Sequence, residues 1–184
     1  EVTHINDLMD SKTLLHLLRY DSVHGRLDVP IEDCGDGFRI NGGPKITLSS
    51  CRSPEEIPWK GKAEMVFECT GFFRKRDLAA AHIKAGAKKV LISAPGSGED
   101  LTVVYGVNSG ELKPEHTIVS NGSCTTNCLA PVAKVIHNAL HIDSGVMTTV
   151  HSYTNDQHIL DMPHSDLRRA RAAAVNMIPT TTGA

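Results

Sequence analysis

The sequence has no apolar run that approaches the roughly 20 residues of a membrane-spanning helix, so no spanning helix is expected among these residues. Its formal net charge of −2 gives no electrostatic reason to expect binding to nucleic acid or to a membrane surface. It has no internal repeat and no low-complexity stretch. The hydrophobic content of 40% is that of an ordinary globular protein.

The cysteines form no CxxC pair, which is the spacing typical of structural zinc sites, so we expect no metal centre. Their number is odd and does not suggest a disulfide framework, which favours a reduced, cytoplasmic setting. The chain also lacks an initial methionine, and residues 1–6 resemble the middle of a strand. We therefore expect an internal fragment of a longer protein.

Short β-branched runs alternate with segments of helical periodicity along the chain. This rhythm predicts an α/β fold in which a parallel sheet carries helices on its faces. A turn is expected at Asn41-Gly42-Gly43 and a loop over residues 20–25. The predicted strands are residues 2–6, 45–50, 65–71, 90–95, 102–106, 117–119 and 145–151, and the predicted helices are residues 14–18, 76–85 and 129–140.

Polar side chains follow several of these predicted strands, and ligands in open α/β sheets bind at the carboxyl ends of strands. Asp7, Thr70, Ser93 and Cys124 all have this position. An acidic residue there can accept hydrogen bonds from a ribose hydroxyl, although Asp7 or Asp10 could instead cap the following helix. Arg52, which follows the strand at residues 45–50, would ordinarily be a solvated surface charge.

Residues 120–128, Ser-Asn-Gly-Ser-Cys-Thr-Thr-Asn-Cys, link a predicted strand to a predicted helix. Free N–H groups and the positive end of the helix dipole would favour an anion beside Cys124. Such surroundings lower the pKa of a thiol, so the pattern predicts a reactive thiolate. Cys128 lies one turn further along; it could be a resolving thiol, but a buried structural cysteine is the simpler interpretation.

Histidine is the usual partner of a cysteine nucleophile, and His151 ends the predicted strand at residues 145–151, which could return beside Cys124. The ordinary alternative is an inert histidine that is hydrogen-bonded elsewhere. The second half of the chain also gathers groups of the kinds that bind phosphate oxygens. They are Ser123, Thr125, Thr154, Arg169, Thr182 and Gly183, and together they indicate an anionic substrate.

Residues 120–131, Ser-Asn-Gly-Ser-Cys-Thr-Thr-Asn-Cys-Leu-Ala-Pro, resemble the active-site signature of the phosphorylating glyceraldehyde-3-phosphate dehydrogenases. The resemblance covers essentially the whole chain. Further matching segments are residues 5–8, 20–25, 93–95, 151–157, 166–171 and 178–184.

The resemblance implies a Rossmann-type NAD-binding domain over residues 1–122, without its first strand and glycine-rich turn. The start of an α+β catalytic domain would follow over residues 123–184. It also implies a homotetramer, and a reaction in which glyceraldehyde 3-phosphate and inorganic phosphate are converted through a cysteine thioester while NAD is reduced. The 184 residues by themselves are then expected to fold poorly and to lack turnover.

Position by position, the resemblance implies that Cys124 is the nucleophile and that His151 activates it and shuttles protons. Ser123, Thr125, Thr182 and Gly183 match the inorganic phosphate site. Thr154 and Arg169 match contacts to the substrate phosphate, with Asp156 beside them. Asp7, Arg52, Thr70, Gly71 and Ser93 match the cofactor groove. Cys128 matches a neighbour without an essential chemical role.

Three features bear on how closely the family pattern is followed. Asp7 can accept a hydrogen bond from a free ribose 2′-hydroxyl but would repel a 2′-phosphate, which favours NAD over NADP. Leu8 and Pro163 resemble the NAD-using glycolytic form. Gly122 stands where the family usually has alanine, and glycine could loosen the turn before Cys124.

Other functions fit parts of the same pattern. Erythrose-4-phosphate dehydrogenase shares the fold and the cysteine but hydrolyses its thioester. A cofactor-free cysteine hydrolase or acyltransferase would need only the thiolate, His151 and an oxyanion hole, and it leaves Asp7 and Thr70-Gly71 unexplained. A non-catalytic binding protein would have no need of both Cys124 and His151.

Overall fold

The computed structural model describes all 184 residues, which form two compact units. The first unit comprises residues 1–103 and 110–121, and the second comprises residues 104–109 and 122–184. The first unit contains β1 (His4–Asn6), α1 (Ser11–Arg19), β2 (Tyr20–Asp21), β3 (Gly25–Arg26), β4 (Ile31–Asp33), β5 (Gly37–Ile40), β6 (Ile46–Ser49), β7 (Met65–Glu68), α2 (Arg76–Lys84), β8 (Lys89–Ile92), β9 (Leu101–Thr102) and β10 (Ile118–Ser120). The second contains α3 (Cys124–Leu140) and the single 3₁₀ turns Leu167–Ala170 and Ala173–Val175.

The strands of the first unit form two four-stranded sheets and one small hairpin. The sheet β7-β8-β10-β9 is parallel throughout. The sheet β1-β6-β5-β4 is parallel only between β1 and β6, and its other pairs are antiparallel. The parallel sheet with helices confirms the predicted α/β class, whereas the antiparallel part follows from tight turns in residues 31–49.

Two local predictions concern turns in this region. Asn41 and Gly42 have φ angles of 51° and 68°, and the Gly43 N–H donates to the Ile40 carbonyl at 2.9 Å, which confirms the predicted turn. The expected loop at residues 20–25 is instead the β2-β3 hairpin. The Asp21 carboxylate closes this hairpin by accepting from the N–H groups of Val23 and His24.

Apolar packing fixes the parallel sheet against α2. Val90, Ile92 and Ile118 alternate toward one face and are at most 2% exposed. Ala79 of α2 is fully buried against them, and its small side chain lets the helix approach the sheet closely. A one-residue slip of any strand would turn this apolar set toward solvent, so the packing specifies the register.

The predicted strand at residues 145–151 is wrong, because the structure has no strand there. Val146 and Val150 are fully exposed, and no other strand lies alongside to accept their backbone hydrogen bonds. Alternation of apolar residues is not sufficient for a strand without a neighbour to pair with. None of the helices combines the length and the hydropathy that a membrane crossing requires.

Asp100 joins β9, β10 and α2 through one carboxylate. Its Oδ1 accepts from the Arg76 guanidinium at 2.6 Å, and its Oδ2 accepts from the backbone N–H groups of Thr117 and Ile118 at 2.7 and 3.0 Å. The Ile118 N–H bond, with those from Thr117 and Arg76, outweighs partial burial and holds the pKa of Asp100 well below its usual range.

We predict that Asp100→Asn lowers the free energy of unfolding at pH 7 by about 2 kcal/mol, because an amide cannot accept all of these bonds. The folded-state pKa is depressed, so the stabilisation is complete above the unfolded pKa near 4 and is lost as pH falls toward the folded pKa. Urea denaturation of the whole protein between about pH 7 and pH 3 measures this difference. Asp28→Asn, at an exposed ion pair with Arg26, is the control and should be near neutral. An equal, pH-independent loss in both variants would contradict the assignment.

Candidate active site

The turn after β10 places Cys124 at the first position of α3. Ser123 is the N-cap, and its hydroxyl accepts the Thr126 N–H at 2.9 Å while Asn127 donates from its side chain to the Ser123 carbonyl. The helix therefore begins earlier than the periodicity from residue 129 predicts, because the cap and not the apolar face sets its start. Gly122 has a φ of 69°, a conformation that disfavours alanine, so glycine fits this turn.

Cys124 and His151 lie within hydrogen-bonding distance of each other. The Cys124 Sγ is 3.2 Å from the His151 Nε2. The His151 Nδ1 is 2.6 Å from the Ser152 carbonyl oxygen, which can only accept, so Nδ1 carries a proton. The Nε2 atom is thus directed at the thiol, in the arrangement that lets a base take the proton of Cys124.

The charge states of the two side chains are coupled. The hydrogen bond from His151, aided by the Thr125 backbone N–H, lowers the pKa of Cys124, and slight burial opposes this. The Ser152 carbonyl and then the Cys124 sulfur raise the pKa of His151. Both shifts favour a thiolate beside an imidazolium, and the helix N-terminus favours the same negative charge.

Arg169 is the centre of a second polar cluster in this unit. Its Nε donates to the Thr180 hydroxyl at 2.6 Å, its Nη2 donates to the Thr181 carbonyl at 3.2 Å, and its Nη1 pairs with Asp156. The 3₁₀ turn Leu167–Ala170 positions the guanidinium, which is about one-fifth exposed. This fixed guanidinium is the kind of group that binds phosphate.

The remaining residues expected at the phosphate sites differ in exposure. Thr125 is buried in the first turn of α3, and the Ser123 hydroxyl contacts the Thr126 hydroxyl at 2.7 Å. Thr154, Thr182 and Gly183 are exposed. The hydrogen bonds of Thr154 and Thr182 stay within their own segments and join neither the Cys124 pair nor the Arg169 cluster.

In the first unit, a cleft of about 460 Å³ lies at the carboxyl ends of β1 and β6. Asp7, Leu8, Asp10 and Asp36 are among the residues that line it. Asp10 is the N-cap of α1, with its carboxylate on the Thr13 N–H at 2.8 Å, and Asp36 pairs with Lys45. Asp7 accepts only the Met9 N–H at 3.0 Å. Of the two candidates for the cap, Asp10 therefore takes that position. The carboxylate of Asp7 can still accept further hydrogen bonds from a molecule bound in the cleft.

Asn6 connects the two strand ends on this side of the unit, a contribution that the sequence pattern did not reveal. Its side-chain amide donates to the Cys51 carbonyl and accepts the Cys51 N–H, both at 2.9 Å. These bonds hold Asn6, next to Asp7, against Cys51, next to Arg52. The side chain of Arg52 is exposed. An asparagine that mimics a backbone partner at a strand end is the signal that could have been recognised.

Two neighbouring parallel strands, β7 and β8, end at the same edge of their sheet. Thr70 and Gly71 follow β7, and Ser93 follows β8. Glu68 of β7 is directly paired with Ile92 of β8, so the residues that follow each strand start from the same level. Gly71 has a φ of 77° and open space where a Cβ would lie. The backbone there can therefore approach a ligand closely.

Comparison with known proteins identifies the family of this chain. Residues 1–76 match the family model described as the glyceraldehyde 3-phosphate dehydrogenase NAD binding domain, and residues 123–184 match that of the C-terminal domain. The chain belongs to the glyceraldehyde-3-phosphate dehydrogenase family. The predicted resemblance and fold class are thus confirmed, and the matched NAD-binding domain agrees with NAD as the expected cofactor.

Curated relatives align with the whole chain. It is 56% identical to the glyceraldehyde-3-phosphate dehydrogenase of Thermotoga maritima, 57% to that of Geobacillus stearothermophilus and 56% to glyceraldehyde-3-phosphate dehydrogenase 1 of Bacillus subtilis. In each comparison all of this chain is covered and 55% of the relative is covered. The chain thus spans about half the length of the curated relatives it matches.

We predict that His151→Asn slows alkylation of Cys124 by iodoacetamide at pH 7 by about tenfold or more, because the thiol then loses the group that lowers its pKa. The alkylation rate should rise with pH in both proteins, and the pH at half-maximal rate should be lower in the unchanged protein than in the variant. Peptide mass spectrometry in a Cys128→Ser background isolates the signal from Cys124. His24→Asn, at an exposed hairpin, is the control and should leave the rate unchanged. Identical pH profiles for His151→Asn and the parent would contradict the pairing.

Proposed function

We propose that the whole protein that carries this chain oxidises glyceraldehyde 3-phosphate to 1,3-bisphosphoglycerate in glycolysis, with inorganic phosphate as the acyl acceptor and NAD as the oxidant. The observation that carries the proposal is the 3.2 Å contact between the Cys124 Sγ and the His151 Nε2 at a helix N-terminus. The matches to both family domains and the names of the relatives support it.

In the first step, the Cys124 thiolate adds to the aldehyde carbon, and the carbonyl electron pair moves to oxygen. The imidazolium Nε2 of His151 supplies the proton, which gives a neutral hemithioacetal. Ser152 holds the ring so that Nε2 stays directed at the reacting atoms. The Arg169 guanidinium, with Thr154, is proposed to hold the substrate phosphate.

In the second step, His151 takes the hydroxyl proton back as the carbon–hydrogen bond breaks, which leaves a thioester on Cys124. NAD, when bound, accepts the hydride. A phosphate oxygen then attacks the thioester carbon, the carbon–sulfur bond breaks and the remaining phosphate proton passes to solvent. The leaving thiolate is stabilised by His151 and the helix N-terminus. Ser123, Thr125, Thr182 and Gly183 are proposed to bind this second phosphate.

The cleft at the ends of β1 and β6 fits the adenosine part of NAD. It offers the Asp7 carboxylate to ribose hydroxyls and the apolar side chains of Leu8 and Met9 to a base. Asp10 lines the same cleft, and neither Asp7 nor Asp10 is paired with a cation, so both carboxylates disfavour a 2′-phosphate. We propose that Arg52, Thr70, Gly71 and Ser93 make further cofactor contacts.

Domain boundaries, assembly and location are part of the proposal. We propose an NAD-binding domain over residues 1–122 and a catalytic domain over residues 123–184. The boundary between the two compact units near residues 121 and 122 supports this division. A homotetramer in the cytoplasm is the expected state. Ile159, Val175 and Met177 are at least 80% exposed, which supports subunit contacts. We propose that the 184 residues by themselves are inactive.

We predict that Cys124→Ser reduces NAD reduction by the whole protein at least about a thousandfold, because an alcohol is a far weaker nucleophile than a thiolate at neutral pH. The assay contains glyceraldehyde 3-phosphate, NAD and inorganic phosphate. Cys128→Ser, one turn along the same helix, is the matched control and should retain turnover. Survival of activity in Cys124→Ser would refute the mechanism.

Phosphate dependence separates the proposal from erythrose-4-phosphate dehydrogenase in the same assay. The proposed reaction needs inorganic phosphate for continuous turnover. Turnover of erythrose 4-phosphate without phosphate, together with none of glyceraldehyde 3-phosphate, would favour the hydrolytic enzyme instead.

We predict that Asp7→Ala weakens NAD binding by about tenfold and raises the relative affinity for NADP, because a ribose acceptor is lost and the repulsion of a 2′-phosphate falls. Isothermal titration with each nucleotide measures both effects. Asp28→Ala, which changes the net charge equally at an exposed site outside the cleft, is the control. An unchanged ratio of the two affinities would show that Asp7 does not select the nucleotide.

A further inference from the structure

Glu68 is a buried carboxylate with no part in the chemistry described above. It is the last residue of β7 and is 3% exposed, as is His82 of α2. Its Oε2 lies 2.8 Å from the His82 Nε2, and its Oε1 accepts the Thr70 N–H at 2.8 Å together with the Thr70 hydroxyl. A buried charge is costly unless it is well hydrogen-bonded, and the three donors on this carboxylate meet that requirement.

The protonation of His82 follows from its other neighbour. The Trp59 Nε1–H can only donate, and it lies 3.0 Å from the His82 Nδ1, which must therefore accept. The remaining ring proton is on Nε2, so a neutral His82 donates to Glu68. Burial raises the pKa of Glu68, but the bonds from His82 and Thr70 outweigh it and hold the pKa below its ordinary value.

The hydrogen bonds of Glu68 lead to the loop after β7. The Thr70 hydroxyl donates its proton to Glu68, and its oxygen accepts the Phe72 N–H at 3.1 Å. Gly71, between them, has the positive φ of 77° that such a tight loop requires. The backbone carbonyl of Glu68 accepts the Ser93 N–H at 3.0 Å, so residues after both β7 and β8 depend on this one residue.

We infer that Glu68 is a positioning residue for the cofactor: backed by His82 and Trp59, its carboxylate orders residues 70–72 before a nucleotide arrives. The inference rests on the proposed NAD-binding function. Because the Thr70 hydroxyl is committed to Glu68, the loop presents backbone and the open surface of Gly71 to the cofactor, and the cofactor does not have to order it on binding.

Glutamine cannot replace Glu68 in this network. The carboxylate accepts on both sides, from His82 and from Thr70. The side-chain amide of a glutamine at this position would present an N–H to one of these donors, whichever way it turned, and one buried donor would lose its acceptor. Thr70→Val removes the hydroxyl but leaves the bond between Glu68 and His82, and Thr70→Ser keeps the hydroxyl.

The experiment compares single-residue amide exchange and NAD affinity in the whole protein. Glu68→Gln should speed exchange of the Thr70 and Phe72 amides about tenfold without NAD, and Thr70→Val should do so at Phe72. Both should weaken NAD binding by about tenfold. Thr70→Ser keeps the hydroxyl that accepts the Phe72 N–H, so exchange of the Phe72 amide should stay as slow as in the parent. Glu64→Gln, at an exposed ion pair with Lys88 just before β7, is the matched control and should change neither quantity.

The outcomes separate this inference from the proposed function. Parent-like exchange at residues 70–72 in Glu68→Gln and Thr70→Val overturns the inference, even if NAD binds. Fast exchange in both variants with unchanged NAD affinity also overturns it, because the order would then not serve the cofactor. If the parent itself binds no NAD, the proposed function fails, and exchange alone decides whether Glu68 orders the loop. If Glu68→Gln does not fold, Thr70→Val against Thr70→Ser decides.

Discussion

Parallel pairing of β7, β8 and β10 decides which polar residues of the first unit share an edge. Glu68 pairs with Ile92, and Ile92 pairs with Ser120, so the three strands end at one level. The segments that leave them are the Thr70 loop, the Ser93 turn and the turn that leads to Cys124. Because the buried faces of Ile92 and its neighbours specify the register, apolar packing also determines where binding groups can lie.

The carboxylates of the first unit differ in how many hydrogen bonds they accept within the fold. Asp10, Asp100 and Glu68 each accept hydrogen bonds from at least two donors, a backbone N–H together with a hydroxyl, guanidinium or imidazole group, which stabilises their charge within the fold. Asp7 accepts a single backbone N–H and lines an open cleft. A carboxylate with spare acceptor capacity is the one available to a ribose hydroxyl. The Asp7 carboxylate is therefore the group at the cleft that can accept hydrogen bonds from the proposed cofactor.

Much of the fold could be predicted from local pattern, because strand ends, turn glycines and the Asp10 cap depend on neighbouring residues in the sequence. The contact between Cys124 and His151 could only be suggested, since it joins segments far apart in the chain. The strand that the sequence predicts before His151 is absent, and the histidine contacts the thiol from a segment without regular secondary structure.

Residues with indirect roles were the hardest to foresee. Glu68 stands inside the apolar run Met65-Val66-Phe67-Glu68-Cys69, and a lone charge in a run that predicts a buried strand is the available signal. Its partner His82 could not be recognised, because one histidine on an alanine-rich helix has no distinguishing pattern. Asn6 stands at a strand end, which is a weak signal, but its contact with Cys51 depends on how β1 pairs with β6.

In the proposed mechanism, Cys124 carries the acyl group until phosphate removes it. The most direct measurement is peptide mass spectrometry of the whole protein quenched after mixing with glyceraldehyde 3-phosphate and NAD in the absence of inorganic phosphate. The mechanism predicts a phosphoglyceroyl thioester on the peptide that contains Cys124, stable until added phosphate releases it as the acyl phosphate. An acyl group on another residue, or no acyl group on Cys124 while NAD is reduced, would contradict it.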